Sequence, residues 1–378
     1  MSRGRLSILL SGMLAGVPGQ GGASWAVLQY LLGLRRLGHD VLFVEPVDSG
    51  GMPLERTRAG RYFVDVVRAF DLHGAAALLD SGGGRPLGME RDRIERFARQ
   101  ADLLLNLSGA LDDADLLAAI DVRAYVDLDP GFTQLWSEAE GVDLGLRLHN
   151  RFVTLGHGIG GGGSPIPSGG RAWLTTLQPI VLEHWPVDRS EPSPALTLVG
   201  HWRGYGSVEY RGTHYGQRAH SLRPLVGLPR RLPVPVVAAL GIHPDETADV
   251  DLLRHNGWQL IDPGATVGTP ARYRAFVGRS WAELGIAKSG YVAARCGWFS
   301  DRSVCFLASG RPVIAQDTGF GAHLPTGRGL MCFATAEGAL AAVEDVRADY
   351  QGHRRAARET AEQFFDSDRV LTRLLACL

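Results

Sequence analysis

The feature that most constrains this fold is an alternation of apolar strand-like runs with helical segments, which occurs twice along the chain. The first series begins at Leu6 with an apolar run, a glycine-rich loop, a helix over 24–37 and a second strand over 41–44. A strand, helix, strand unit builds a parallel sheet and brings its first loop to the carboxyl edge, where ligands bind. A Pro- and Ser-rich linker at Ser190–Pro194 interrupts the alternation, and a second series starts at Leu196. The pattern predicts an α/β chain of two facing Rossmann-like domains, each with a doubly wound parallel sheet.

The length of the chain supports this division, because 378 residues are enough for two domains with separate cores. We predict an N-terminal domain over 1–189, a C-terminal domain over 190–362 and a last helix over 363–378. Inside the first domain, residues 61–79 carry apolar side chains at helical spacing. This spacing predicts one long helix there.

The net charge bears on the class of partner. A formal charge of −1 predicts no long-range attraction to nucleic acid or anionic membranes, so we expect small-molecule partners and no nucleic acid. No apolar run reaches the roughly 20 residues that a membrane helix needs, and we expect no membrane span. A homodimer stays open as an alternative.

Cellular location is suggested by the N-terminus and the cysteines. Basic residues before an apolar run resemble a signal peptide, but the loop and helix that follow favour a first strand instead. The four cysteines show neither zinc-site nor disulfide-framework spacing. We therefore expect a reduced cytoplasmic compartment.

The stretch Ala287–Phe320 is the most informative part of the chain. It contains two strand-like runs with an apolar helical segment between them, entered through Ser-Asp-Arg-Ser at 300–303. At such an entry, unpaired backbone N–H groups, the positive end of the helix dipole and Arg302 would meet. The sequence therefore predicts an anion site here.

Two motifs in this stretch resemble a known signature. Cys-Gly-Trp at 296–298 precedes the helix entry, and Ala-Ser-Gly-Arg-Pro-Val-Ile-Ala at 308–315 precedes Asp317. This order resembles the donor-binding signature of the two-domain nucleotide-sugar glycosyltransferases of the GT-B fold. The resemblance implies transfer of a sugar from a nucleoside diphosphate sugar to a hydroxyl-bearing small molecule, natural product or glycan. It also implies no metal and no cofactor beyond the nucleotide sugar.

The resemblance also implies a division of labour. The N-terminal domain would bind the acceptor, the C-terminal domain the donor, and the last helix would cross back to the N-terminal domain. The chain departs from the family pattern at Arg295, Phe299 and Cys305, where the family keeps His, Asn and Glu. Inverting and retaining chemistry are therefore both compatible with the resemblance.

Donor binding requires groups that hold a diphosphate and stabilise its developing charge. Strand ends and loops of the second series supply the cationic candidates Arg203, Lys288 and Arg302. The full set of predicted donor-binding residues is His201, Arg203, Val267, Lys288, Ser289, Gly290, Ser300, Asp301, Arg302, Ser303, Asp317 and Thr318. In the competing interpretation, the two arginines are solvated surface residues and Asp317 caps a turn.

A catalytic base is expected from strand-end loops of the first domain. We rank Asp129 first, followed by His157 and Asp127, because Asp-Pro at a strand end directs a carboxylate toward the cleft. Asp127 as a cap or strand-end acceptor and His157 as a structural histidine are the alternatives. The glycine-rich loop, with Gly19, Gln20, Gly21 and Gly22, is predicted to line the acceptor side of the cleft.

Two other functions compete with sugar transfer. Gly19-x-Gly21-x-x-Ser24, with Glu45 at the end of the second strand, is a loose match to a dinucleotide-binding pattern and would suit an oxidoreductase. The distance from Leu10 to the helix is too long for the tight turn of that pattern. A nucleotide-sugar epimerase on the same fold is the other alternative.

Overall fold

The computed structural model describes residues 4–160, 163–187 and 191–378. Two parallel sheets, each covered by helices, form its frame. The seven strands of the first sheet have the order β3-β2-β1-β4-β5-β6-β7. Their bounds are β1 Ser7–Ser11, β2 Asp40–Val47, β3 Ala76–Asp80, β4 Leu103–Leu107, β5 Arg123–Asp127, β6 Arg151–Thr154 and β7 Trp173–Thr175. The helices of this half are α1 Gly21–Arg36, α2 Arg58–Ala69, α3 Arg91–Gln100, α4 Ala114–Ala118 and α5 Phe132–Ala139.

The second half repeats the plan with a six-stranded parallel sheet of order β12-β11-β8-β13-β14-β15 and a separate hairpin of β9 and β10. The strands are β8 Leu196–His201, β9 Val208–Tyr210, β10 Thr213–Tyr215, β11 Val236–Gly241, β12 Trp258–Leu260, β13 Ala282–Gly285, β14 Val313–Gln316 and β15 Leu330–Phe333. The helices are α6 Arg218–Leu222, α7 Thr247–His255, α8 Pro263–Val267, α9 Pro270–Arg279, α10 Ser289–Ala294, α11 Asp301–Ala308, α12 Ala336–Ala348, α13 Tyr350–Thr360 and α14 Ser367–Cys377. The prediction of two doubly wound parallel-sheet domains is confirmed. The predicted limit between residues 189 and 190 lies outside the described residues.

The long helix predicted over residues 61–79 is wrong in its second half. Helix α2 ends at Ala69, and Asp71 and Gly74 then take positive φ values of 51° and 73°, which a continuous helix does not allow. The following Ala-Ala-Leu-Leu run pairs with β2 as a parallel strand and is buried. Burial on both faces of the sheet overrides the helix propensity of Ala and Leu.

The last helix connects the two halves. Helix α14 packs on α1, and the side chains of Arg36 and Asp368 form an ion pair at 3.1 Å. The N–H of Ile180 donates to the carbonyl of Phe365, and the carbonyl of Ile180 accepts from the N–H of Ser367. These bonds tie the N-terminal half to the start of α14. This arrangement brings the carboxyl edges of the two sheets face to face.

On one side the domains are in direct contact. A Cβ atom on Gly21 would lie 2.3 Å from the carbonyl oxygen of Thr269, so that only glycine allows this approach of α1 to the C-terminal domain. Next to it, Trp25 Nε1 donates to the carbonyl of Pro270 at 2.9 Å, and the ring of Trp25 packs on Trp185. Within the described ranges, no helix is both long and apolar enough to cross a membrane.

Candidate active site

A cavity of about 740 Å³ lies between the two domains, at the carboxyl edges of both sheets. On the N-terminal side it is lined by the loop after β1, the first turns of α1 and the loop after β5. The C-terminal side carries the loops after β8 and β13 and the start of α11. Twelve of the predicted site residues line this cavity: Gly19, Gln20, Gly21, Gly22, Asp129, His201, Arg203, Val267, Lys288, Ser300, Asp301 and Arg302.

Asp129 and Lys288 meet across this cavity. Asp129 follows β5 of the N-terminal domain, and Lys288 follows β13 of the C-terminal domain, with Lys288 Nζ at 3.2 Å from Asp129 Oδ1. The hydroxyls of Tyr205 and Tyr291 donate to the same carboxylate oxygen, Tyr205 at 2.8 Å. Lys288 Nζ also lies 5.4 Å from the ring centre of Phe132. One carboxylate oxygen is thus held by three donors from the opposite domain.

The ionisation of this pair follows from its surroundings. Burial would raise the pKa of Asp129, but Lys288 and the two tyrosine hydroxyls outweigh burial and hold the pKa below the usual carboxyl value. Burial lowers the pKa of Lys288; Asp129 opposes this shift and Arg218 adds to it. The side chain of Asp129 is 36% exposed, and its Oδ2 atom accepts no hydrogen bond from the described residues. Asp129 is therefore an anchored carboxylate with one oxygen accessible from the cleft.

Arg218, which sequence reasoning missed, lines the same cavity. It is 5% exposed, and its Nε and Nη1 atoms donate to the carbonyls of Ile286 at 2.8 Å and His201 at 2.6 Å. No ion pair among the described residues includes it. Burial, with Arg302 nearby, lowers its pKa to about 9. A buried cation without a carboxylate partner is unfavourable, so an anion in the cavity would stabilise it.

A sequence signal for Arg218 did exist. It is the first residue of α6, where a cation faces the positive end of the helix dipole. A basic residue at this unfavourable position, shortly after the hairpin of β9 and β10, indicates a role other than helix stability.

The two arginines predicted at the donor site differ in their surroundings. Arg203 is 39% exposed and pairs with Glu246 at the rim of the cavity. The side chain of Arg302 is 12% exposed and its Nε lies 2.5 Å from Oε1 of the fully buried Glu283. Arg302 is therefore not a solvated surface residue, and its charge is already balanced.

At the predicted anion site, the start of α11, the protein places an acidic side chain of its own. Ser300 precedes the helix without capping it through its side chain, and Asp301 lies in the first turn. Burial raises the pKa of Asp301 while Arg302 opposes this shift. A carboxyl group thus already occupies the positive end of the helix dipole.

Three of the other donor-site candidates lie apart from the main cavity. Asp317 Oδ1 accepts from the N–H of Gly319 at 2.8 Å, which is the turn-capping alternative. Thr318 donates to the carbonyl of Trp298, and Ser303 is buried within α11. Ser303 and Thr318 line a separate cavity of only about 10 Å³.

The remaining two donor-site candidates lie at the start of α10. Ser289 Oγ is buried and has no hydrogen-bond partner among the described residues. A Cβ atom on Gly290 would lie 2.4 Å from Cζ of Phe132, so this glycine allows α10 to contact α5 of the other domain. Neither residue lines the main cavity.

The other two candidate bases are also absent from the cavity wall. Asp127 is fully buried and accepts hydrogen bonds from Thr133 at 2.7 Å and from Gln134 and Thr154 at 2.8 Å. Burial raises the pKa of Asp127 to about 6, although these hydrogen bonds act to lower it. It also accepts from the N–H of Asp129 at 3.1 Å, so Asp127 holds the loop that carries Asp129.

His157 packs on a histidine of the opposite domain. Its ring centre lies 5.1 Å from that of His323, and burial, followed by His323, lowers its pKa. Its Nε2 atom is buried and has no hydrogen-bond partner in the described ranges. This environment matches the structural alternative given to His157.

The geometry does not support the dinucleotide pattern. Helix α1 begins at Gly21, well after β1 ends at Ser11, and no tight turn joins them. The carboxylate of Glu45 accepts hydrogen bonds from the loop backbone instead of facing the cavity. Across the ranges that the structure describes, no three His, Cys, Asp or Glu side chains are grouped as a metal site requires.

Comparison with known proteins relates this architecture to solved structures. No family model and no curated protein matches the chain. An alpha-glucosyltransferase, solved with UDP and a 13-mer DNA containing an A:G mismatch, is similar over 99% of both chains, with 13% identity and a TM-score of 0.62. The chain has the GT-B fold. Two further GT-B structures match. Anabaena HepE, solved with UDP and glucose, is 14% identical over 99% of this chain and 100% of its own, with a TM-score of 0.60. A glycosyltransferase from Rickettsia africae is 12% identical over 99% of this chain and 98% of its own, with a TM-score of 0.55.

The GT-B fold predicted from the sequence is confirmed, but the exclusion of nucleic acid as a partner is wrong. The alpha-glucosyltransferase shares this fold over nearly the whole chain and was solved in complex with DNA. The exclusion depended on a net charge of −1, which averages over the whole surface. Local charge is distributed unevenly: Arg56, Arg58 and Arg61 are exposed at the start of α2, and Arg58 lies beside Gly19 of the cavity loop.

Proposed function

We propose that this protein transfers a sugar from a nucleoside diphosphate sugar to a hydroxyl group of an acceptor. The observation that carries this proposal is Arg218, a buried cation that pairs with no carboxylate of the described residues and lines a cleft between two Rossmann-like domains. Lys288 lines the same cleft, and its pKa is also lowered by burial. Two desolvated cations in one cavity suit a diphosphate, which would restore the charge balance of both.

Arg218 and Lys288 would act most strongly as the donor breaks down. When the bond between the sugar and the diphosphate breaks, negative charge grows on the departing oxygen. Cations held in a cavity with little water stabilise that charge more than water does. Helix α8, with Val267 on the cavity wall, supplies an apolar surface for the nucleobase.

Asp129 would act on the acceptor. Oδ1 is fixed by Lys288, Tyr205 and Tyr291, which leaves Oδ2 to accept the hydrogen bond of an acceptor hydroxyl. Its lowered pKa keeps it ionised at neutral pH, so it can take the hydroxyl proton as the new bond to the sugar forms. A bound diphosphate would share Lys288 with Asp129, and the hydroxyls of Tyr205 and Tyr291 would keep their hydrogen bonds to Oδ1.

The comparisons guide the choice of ligands. UDP or UDP-glucose is bound in the related structures of the alpha-glucosyltransferase and HepE. We therefore propose a uridine diphosphate sugar as donor, and no further cofactor. The acceptor panel should include DNA with a modified base beside small molecules and glycans, because a related structure holds such DNA. We also propose a cytoplasmic location, which fits four unpaired cysteines.

The test combines binding and product analysis. Calorimetry would measure the binding of UDP, UDP-glucose and other nucleoside diphosphates, and chromatography would follow the products formed with each acceptor. Release of UDP only when an acceptor is present supports transfer, and activity retained in EDTA supports a metal-free reaction. An altered sugar still attached to the nucleotide would show an epimerase instead. Failure to bind any nucleoside diphosphate would overturn the proposal.

A further inference from the structure

Glu45 occupies an unusual position in β2, two residues before the strand ends at Val47. It is 1% exposed, and its carboxylate accepts three consecutive backbone N–H groups of the loop after β1. The distances are 3.1 Å from Leu14 to Oε1, 2.8 Å from Ala15 to Oε2 and 2.7 Å from Gly16 to Oε1. Burial and these three bonds set the pKa of Glu45, and no charged side chain in the described part of the chain shifts it.

The loop that Glu45 holds is the N-terminal wall of the cavity. Residues 12–20 form no regular helix or strand, so Leu14, Ala15 and Gly16 have no ladder partners for their N–H groups. The rest of the loop from Val17 and the first two residues of α1 line the cavity, as does Met13, which is 55% exposed. The carboxylate of Glu45 is therefore the main polar anchor beneath this wall.

We propose that Glu45 is a positioning residue for the acceptor, because it orders the loop against which the acceptor binds. This inference rests on the proposed function. In the sequence, Glu45 was the acidic residue of the loose dinucleotide-binding match. The proposal gives it a different role, that of holding the loop. The Glu45 carboxylate bonds only to the N-terminal loop, whereas the cations proposed to bind the donor lie on the opposite wall, so we expect donor binding to change little.

The test variant is Glu45→Gln, which keeps the size of the side chain. One carboxylate oxygen becomes an NH2 group that faces backbone N–H donors, so at least one of the three hydrogen bonds is lost. Amide hydrogen exchange in residues 12–20 should become at least tenfold faster. KM for the acceptor should rise at least tenfold, whereas the Kd for UDP and kcat at saturating acceptor should stay within about threefold.

A matched control exists one strand away. Asp80, at the end of β3, also accepts three backbone N–H groups, from Ser49, Gly82 and Gly84, but it does not line the cavity. Asp80→Asn removes the same kind of contact from the neighbouring loop. It should accelerate exchange locally and leave KM for the acceptor unchanged.

The outcomes separate the two proposals. Unchanged exchange in residues 12–20 of Glu45→Gln, or faster exchange with an unchanged acceptor KM, would overturn the role of Glu45. An equal rise of KM in Asp80→Asn would also overturn it, because the effect would then be a general loss of loop order. If the parent protein transfers sugar to no acceptor, the proposed function fails, and the exchange experiment alone still decides whether Glu45 orders the loop.

Discussion

The two walls of the cleft are held in place by different chemistry. The C-terminal wall presents individual cations, Arg218 and Lys288, each fixed by carbonyl oxygens or by a carboxylate. The N-terminal wall presents a backbone loop held from beneath by Glu45, and a single anchored carboxylate, Asp129. The difference suggests that donor binding depends on a few charges, whereas acceptor binding depends on the shape of a loop. Variants on each wall should therefore fail in different ways.

Asp129→Asn should have the largest effect. Loss of the base should lower turnover about 100- to 10,000-fold, the usual range for a group that transfers a proton. UDP should bind as tightly as before or more tightly, because Lys288 no longer has a carboxylate to neutralise. Steady-state UDP release and calorimetry would measure the two quantities. Unchanged turnover would remove Asp129 from the chemistry, and loss of UDP binding would place it on the donor side.

Arg218→Gln should fail in the opposite way. Removing this buried cation should weaken UDP binding about 100-fold or more, which corresponds to about 3 kcal/mol. The glutamine amide can still donate to a carbonyl of Ile286 or His201, so the fold is expected to survive, and circular dichroism would check this.

The matched control for Arg218→Gln is Arg223→Ala. Arg223 is 41% exposed, pairs with Asp249 and does not line the cavity. Its removal should leave the Kd for UDP unchanged. Equal losses in both variants would mean that general positive charge, and not the buried position, binds the nucleotide.

The sequence predicted the frame of the molecule well because local pattern determines it. Strands such as Leu103–Leu107 are apolar at nearly every position, which is typical of a strand buried on both faces. The strand Ala76–Asp80 was missed because alanine and leucine favour helices locally, and only the parallel pairing with β2 decides otherwise.

The candidate site was predicted in part, and the limits are physical. Lys288, Arg203 and Asp129 follow parallel strands in the sequence and line the cavity in the structure, and their roles there stay predictions. Their pairing was not predictable, since Asp129 and Lys288 are 159 residues apart in the chain. Arg218 was missed because its one sequence signal, a basic residue at the start of α6, is weak, and the burial that decides its role is not visible in a sequence.

A third prediction concerns the stability of the N-terminal wall. Burial raises the pKa of Glu45 from 4.5 to about 7 in the folded protein, against the three backbone hydrogen bonds. A raised folded pKa contributes stability that is fully present below about pH 4.5 and is lost as the pH rises to about 7. The difference in unfolding free energy between the parent and Glu45→Gln should therefore fall by about 3 kcal/mol across this window.

Urea unfolding of both proteins at several pH values would measure this difference. Other groups titrate in the same range, including Asp127, but they are present in both proteins and cancel. Asp80→Asn supplies the contrast, because the pKa of Asp80 is lowered and not raised, and the hydrogen bond from the backbone N–H of Gly82 is its main cause. A difference between parent and Glu45→Gln that rises with pH would show that the hydrogen bonds outweigh burial at Glu45.

Arg203→Ala should have the smallest effect. Arg203 lines the cavity as Arg218 does, but it is 39% exposed and already paired with Glu246. Water and this carboxylate screen its charge, and exposed ion pairs contribute only about 0 to 1 kcal/mol. Its removal should weaken UDP binding by less than about tenfold, measured by calorimetry beside Arg218→Gln. If Arg203→Ala weakened UDP binding as much as Arg218→Gln, the rim of the C-terminal wall would bind the diphosphate, and the buried cation would have to be reassigned to structural support of the loops that end at His201 and Ile286.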